Sequence, residues 1–214
     1  MWGICTKFSA QIKNFMKSFL LASLFALSVL WGRTQETLQI GSPLPKGEVK
    51  MKDVSGNLVS LNDLKTASGL LVMFSCNTCP YVKANQSRTR EICQYAMDKN
   101  IGVILLNSNE STRQDGDSYA DMQAYAREQQ YKWSYAVDSH NELADAFGAN
   151  RTPECFLFDG SGKLLYHGAI DNGPADPAAV TRSHLKEALN EMLTGKQVSV
   201  KESRSVGCNI KRKG

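Results

Sequence analysis

Two runs of apolar residues frame this chain. Leu70-Leu71-Val72-Met73-Phe74 and Ile101-Gly102-Val103-Ile104-Leu105-Leu106-Asn107 are apolar at nearly every position, without the alternation of a strand that keeps one wet face. Such runs predict strands covered on both sides, hence a largely parallel sheet. Between them the sequence predicts a helix from about Cys79 to Lys99, ended by Asn100. Ahead of them, a loop over residues 41–45 leads into a hairpin-like segment, 49–54 and 58–61, around a turn at Ser55-Gly56-Asn57. Behind them, Ser118 with Asp121 three residues on is a loose capping box that opens a helix to about Gln130. Residues 135–138 are strand-like, and 141–147 predict a short helix closed by Gly148. Residues 155–158 and 163–168 flank Asp159-Gly160-Ser161-Gly162 and predict an antiparallel hairpin. A Pro/Gly/Asp loop over 171–177 precedes an amphipathic helix over 181–193, with Leu185, Leu189 and Met192 on one face. Strand–helix alternation, then a hairpin and a terminal helix, predicts the α/β class. No internal repeat and no interdomain linker interrupts it.

The first 35 residues are of another kind. Lys7, Lys13 and Lys17 precede an apolar stretch from Phe19 to Trp31. A basic region followed by an apolar one of this length predicts a signal peptide, since a membrane span needs about 20 apolar residues. The expected cut falls between Gly32 and Gln35, and Met16 offers an alternative start. The alternative is an uncleaved N-terminal membrane anchor. The expected organisation is therefore residues 1–35 as signal peptide or anchor and 36–214 as one domain, exported to the periplasm or another extracytoplasmic space.

That division changes the charge. The formal net charge is +4, and residues 1–35 hold four basic residues (Lys7, Lys13, Lys17, Arg33) and no acidic one. The remaining domain is therefore close to neutral. No Lys/Arg cluster interleaves with aromatics in it, so nothing points to nucleic acid.

Cys76-Asn77-Thr78-Cys79-Pro80 carries the chemistry. A strand that delivers two cysteines, two residues apart, into a helix N-terminus predicts a redox pair. Unpaired N–H groups and the helix dipole lower the first thiol's pKa, and the second lies one turn away, where it can resolve a mixed disulfide. Cys76 is the expected nucleophile and Cys79 the resolving thiol. Pro80 fits the first helical turn and excludes haem attachment, which takes His after C-x-x-C. Cys93 and Cys155 fall in apolar settings and are expected to be buried small hydrophobes. Cys5 leaves with a cleaved signal, and five cysteines remain, an odd number. Cys208, in a Gly-containing tail, is a candidate third redox thiol or a packing residue. His140, His167 and His184 are expected to be ordinary polar residues, His184 facing solvent.

The junction and the Thr152-Pro153 dipeptide that opens the later hairpin resemble the thioredoxin superfamily. The long interval between Cys79 and Pro153 looks like the inserted strand–helix unit of its redoxin branch. Phe74 to Lys83, Asn107-Ser108-Asn109, Thr152-Pro153-Glu154, Phe156 to Asp159 and Val206 to Lys211 resemble a peroxiredoxin-like group within it, over about residues 38–212. The resemblance implies a thioredoxin-like fold, a central mixed sheet flanked by helices, with an N-terminal extension. It also implies that Pro153 is a cis-proline facing the cysteines and, with Thr152, contacts the substrate backbone. Two positions depart from the pattern. The buried acid expected six residues before the first cysteine is Leu70, leaving Glu154 or Glu110 as candidates for proton transfer. The peroxidase threonine three residues before the peroxidatic cysteine is Met73.

The expected function is an exported thiol–disulfide oxidoreductase working through Cys76 and Cys79, with no cofactor and no metal. Its expected partners are protein or small-molecule thiols and disulfides and a thiol electron donor, with membrane contact only through an uncleaved N-terminal segment. The first alternative is a thiol peroxidase that takes peroxide on Cys76. The second is a copper-binding or delivery protein, for which His140 is a loose echo of the required distant histidine. Zinc lacks a second C-x-x-C or an H-x₃₋₅-H to complete a tetrahedral site.

Overall fold

Leu71 and Met73 face one side of their strand, Leu70, Val72 and Phe74 the other, and all five are fully buried. Side chains alternate across a strand, so a run apolar at every position needs cover on both faces. The computed structural model describes residues 36–213, and the signal-peptide or anchor reading of residues 1–35 lies outside them. The strands are β1 (Met51–Lys52), β2 (Leu58–Val59), β3 (Leu70–Phe74), β4 (Gly102–Asn107), β5 (Ser134–Val137), β6 (Arg151–Thr152), β7 (Glu154–Phe158), β8 (Leu164–Gly168) and β9 (Cys208–Asn209). The α-helices are α1 (Leu61–Leu64), α2 (Pro80–Ala84), α3 (Gln86–Asp98), α4 (Tyr119–Glu128), α5 (Glu142–Phe147) and α6 (His184–Leu193).

Five strands form the central sheet in the order β5-β4-β3-β7-β8. β3 pairs in parallel with β4, and β4 with β5, while β7 runs antiparallel to β3 and to β8. The sheet is therefore mixed, flanked by helices in a thioredoxin-like α/β fold. On one face α3, α4 and α6 supply Ile92, Cys93, Ala96, Met122, Ala126, Leu185, Ala188 and Leu189. On the other, Leu61 of α1 and Leu143, Ala144 and Phe147 of α5 cover Phe74, Phe156 and Phe158. Each large buried side chain of this kind contributes about 1.5–3 kcal/mol. β5 and α5 occupy the long interval between Cys79 and Pro153.

Three local outcomes differ from the sequence pattern. The helix expected over 79–99 is two helices, α2 and α3, broken at Asn85. The Asn85 side chain donates to the carbonyls of Tyr81 at 2.8 Å and Pro174 at 2.6 Å, tying the break to a distant loop. Leu61 leaves the expected strand to open α1, because Ser60 and Asp63 form a capping box there. The terminal helix begins at His184, later than expected. The capping box at Ser118 and the left-handed Gly148 closing α5 (φ 63°) agree with their sequence signals.

Register places the site. Phe74, the last residue of β3, pairs with Glu154, the first residue of β7. Because the two strands are antiparallel, the residues after Phe74 run out beside those before Glu154. The C-x-x-C loop and the Thr152-Pro153 dipeptide thus emerge at the same end of the sheet.

Candidate functional site

At that end, the Ser75 N–H still donates to the Leu106 carbonyl at 2.9 Å, and then the chain leaves the sheet. Cys79 is the N-cap of α2 and Pro80 its first residue, where no N–H is required. The Thr152–Pro153 peptide bond is cis, as the resemblance implied. Cys76 Sγ lies 3.5 Å from Thr152 Oγ1, and Cys79 Sγ lies 3.2 Å from the Thr152 carbonyl oxygen. Val82 is buried with the two sulfurs, and Tyr81 and Cys208 pack against them. The two cysteines are 1% and 3% exposed.

A fully buried carboxylate that the sequence reading passed over holds the loop. Asp117 accepts from the Asn77 N–H at 2.9 Å and the Thr78 hydroxyl at 2.9 Å. It also accepts from the side chains of Asn107, Asn109 and Thr112 at 2.9, 3.0 and 3.1 Å. The Asn77 side chain completes the frame, donating to the Gly116 carbonyl and accepting from the Tyr135 hydroxyl, each at 2.9 Å. Gly116, at φ 80°, lets the two loops approach: a Cβ there would stand 2.7 Å from the Thr78 methyl. With five donors on its oxygens, Asp117 is a positioning residue rather than an open base.

The electrostatics separate the two thiols. Hydrogen bonding from Cys76 draws Cys79 down to about 4; burial opposes this, and the Cys208 thiol and the N–H groups of Val82 and Cys208 add to it. Cys76 is pushed up, first by the hydrogen bond it gives Cys79, then by burial, with the Asp117 charge contributing; Thr152 and the Cys79 N–H act the other way. The two shifts belong to one coupled pair: a single proton shared between the sulfurs lowers one thiol and raises the other.

The remaining candidates divide. Glu154 is buried beside Pro153, but both its oxygens are engaged. Oε2 accepts from the N–H groups of Asn150 and Arg151 at 2.8 and 3.0 Å, and Oε1 lies 2.8 Å from His167 Nε2. Glu110 pairs with Arg113 at 2.9 Å. No hydrogen bond among the described residues joins either glutamate to Cys76 or Cys79. Cys208 comes to the site, its Sγ 2.8 Å from Cys79 Sγ. Cys93 and Cys155 are fully buried in the core. His140 is exposed, and His184 is partly buried rather than solvent-facing. Among the described residues, no group of three or more His, Cys, Asp or Glu side chains is placed to hold a metal ion. None of their helices is long and apolar enough to cross a membrane.

Known proteins share this architecture. An uncharacterized conserved protein from Geobacillus kaustophilus is 33% identical, with a TM-score of 0.76 over 83% of this chain and 94% of its own. A hypothetical protein from Sinorhizobium meliloti is 29% identical, with a TM-score of 0.76 over 84% of this chain and 97% of its own. A PrxQ mutant from Xylella fastidiosa, 14% identical, shares the fold at a TM-score of 0.56 over 75% of this chain and 98% of its own. No curated protein matches. The Redoxin family pattern matches residues 39–189, from the N-terminal loop to the last helix and across both cysteines and the cis-proline. The chain belongs to the Redoxin family.

Proposed function

We propose that this protein is a thiol–disulfide oxidoreductase that works outside the cytoplasm and cycles Cys76 and Cys79 between dithiol and disulfide. Membership of the Redoxin family supports a thiol redox function. The observation that carries the finer reading is the placement of both sulfurs against the cis Thr152–Pro153 bond, at the end of β3 and the start of α2. A substrate thiolate attacks Cys76 Sγ of the oxidised pair, the Cys76–Cys79 bond breaks, and Cys79 leaves as the stabilised thiolate. A second substrate thiol then attacks the mixed disulfide, forming the substrate disulfide and returning Cys76 as a thiol. Two electrons pass from substrate to protein. Each exchange is reversible, and a low leaving-group pKa speeds the first step.

The peroxidase alternative finds less support. Met73, where the family's peroxidases carry threonine, is fully buried in the hydrophobic core, so no hydroxyl stands there to hold a peroxide.

Equilibration of the full chain with glutathione buffers, read by mass mapping of disulfides, tests the proposal. The expected result is a Cys76–Cys79 disulfide that forms in oxidising buffers and opens in reducing ones. No Cys76–Cys79 bond in any buffer would end the proposal.

A further inference from the structure

The C-terminal tail is built into the site. β9 pairs antiparallel with β6, setting Cys208 opposite Thr152 and Asn209 opposite Arg151. The pairing continues through the Ile210 N–H, which donates to the Asn150 carbonyl at 3.0 Å. Beyond it, the Lys211 N–H donates to Asn109 Oδ1 at 2.9 Å, and its carbonyl accepts from the Ser111 N–H at 2.9 Å. Ile210 is buried in the core face that holds Phe74 and Phe156. Arg212 donates to the Ala149 carbonyl and to Asp145 at 2.7 and 2.9 Å. Before it, Gly207 passes so close to the cis-proline loop that a Cβ would stand 2.1 Å from the Thr152 carbonyl oxygen. Anchors on both sides of Cys208 fix its sulfur 2.8 Å from Cys79 Sγ. A bonded pair stands at about 2.05 Å, so a small side-chain motion closes the gap. Cys76 and Cys79 are buried, whereas Cys208 is partly exposed.

We propose that Cys208 is the outward-facing member of a three-sulfur relay, exchanging with small-molecule disulfides at the surface and with Cys79 inside. This rests on the proposed Cys76/Cys79 cycle and supplies the step that restores its disulfide. A small disulfide, XSSX, reacts with the Cys208 thiolate, forming Cys208–S–S–X and releasing one XS⁻, which takes the proton that Cys208 gave up. The Cys79 thiolate attacks Cys208 Sγ, the Cys79–Cys208 bond forms, and the second X sulfur leaves as a thiolate. Cys76 then attacks Cys79 Sγ, forming Cys76–Cys79, and its proton passes to the departing Cys208 sulfur. Two electrons go from protein to XSSX, and the last step is an isomerisation that consumes no oxidant. The order matches the geometry: Cys208 Sγ lies against Cys79 Sγ, and Cys79 shares a buried cluster with Cys76.

The test uses the reduced full chain with Cys5→Ser, oxidised glutathione as XSSX, acid quenching and mass mapping of disulfides. With Cys76→Ser added, the expected product is a Cys79–Cys208 disulfide with loss of two thiols. A persistent glutathione adduct on Cys208, or no thiol loss, would overturn the relay. With Cys208→Ser instead, Cys76–Cys79 still forms but roughly tenfold more slowly; an unchanged rate would also overturn it. If the Cys76→Ser chain does not fold, early quenched samples of the Cys5→Ser parent must contain Cys79–Cys208, and its absence decides against the relay. Absence of Cys76–Cys79 in the parent with Cys79–Cys208 present in the Cys76→Ser chain would sink the proposed cycle and leave the relay standing.

Discussion

Cys93 and Cys155 lie as deep as Cys76 and Cys79, yet the two sets live in different surroundings. Cys93 packs from α3 among apolar side chains, and Cys155 sits on β7 across from Met73. Burial alone pushes the Cys93 thiol up, and burial leads the same rise at Cys155. Cys76 and Cys79 are framed by a cis peptide bond, a helix start, the Asp117 network and a third thiol. Depth does not separate a reactive thiol from an inert one. Polar partners at the sulfur pair do, because they let one of its two sulfurs, Cys79, hold a thiolate against the cost of burying it.

The largest expected contrast is in exchange rate. Cys79→Ser removes the stabilised sulfur and should lower disulfide exchange by about a thousandfold or more, whereas Cys93→Ala should leave it within about twofold. Reduction of a model protein disulfide by the reduced chain measures both, and equal losses would erase the contrast. Next comes Asp117→Ala, which leaves the Asn77 N–H and the buried Asn109 amide without an acceptor and takes one of two from Asn107. We expect a loss of about 2–4 kcal/mol, read from urea midpoints. Asp117→Asn should cost less and should let Cys76 alkylate at lower pH, since it removes the charge that raises that thiol. Cys93→Ala leaves only a small void in the core, and about 1 kcal/mol is expected by the same method.

A last contrast lies in the pH dependence of stability. Hydrogen bonding from Cys76 lowers Cys79 below its ordinary 9.0, so its stabilisation is complete above pH 9 and is lost as pH falls below that value. Cys76 is raised, so its stabilisation is complete below 9 and is lost as pH climbs above that value. The urea midpoint of the reduced chain, less that of a Cys76→Ser/Cys79→Ser double variant, should therefore rise from pH 4 toward 9 and then fall. A flat difference would show that the pair's environment does not separate the two thiols.

Much of this was legible in the chain because it is local. The run at 70–74 reads as a strand covered on both faces, and C-x-x-C-P after it reads as the opening of a helix. The Ser118–Asp121 cap and Gly148 closure also depend on neighbours a few residues away. What escaped is long-range or conformational. Asp117 lies in a polar stretch with Asp115 two residues before it, and nothing in spacing says which carboxylate turns inward. The signal available was weak: a small Gly116 beside an acid just ahead of a helix cap. The break at Asn85 rests on the Pro174 carbonyl, 89 residues away. Which cysteine caps α2 depended on a helix boundary one residue past Cys79, and boundaries are the least readable part of a helix. Cys208 could be placed only as a candidate, because its docking depends on a two-residue strand, β9, finding Arg151 and Thr152 far back along the chain.

The central claim is that the sulfur pair exchanges with disulfides. The most direct measurement follows loss of free thiol from the reduced full chain, with and without Cys76→Ser, after addition of a model protein disulfide or of hydrogen peroxide. The account predicts fast, Cys76-dependent oxidation by the disulfide and slow reaction with peroxide. Fast peroxide consumption with little reaction toward the disulfide, or exchange that survives Cys76→Ser unchanged, would contradict it.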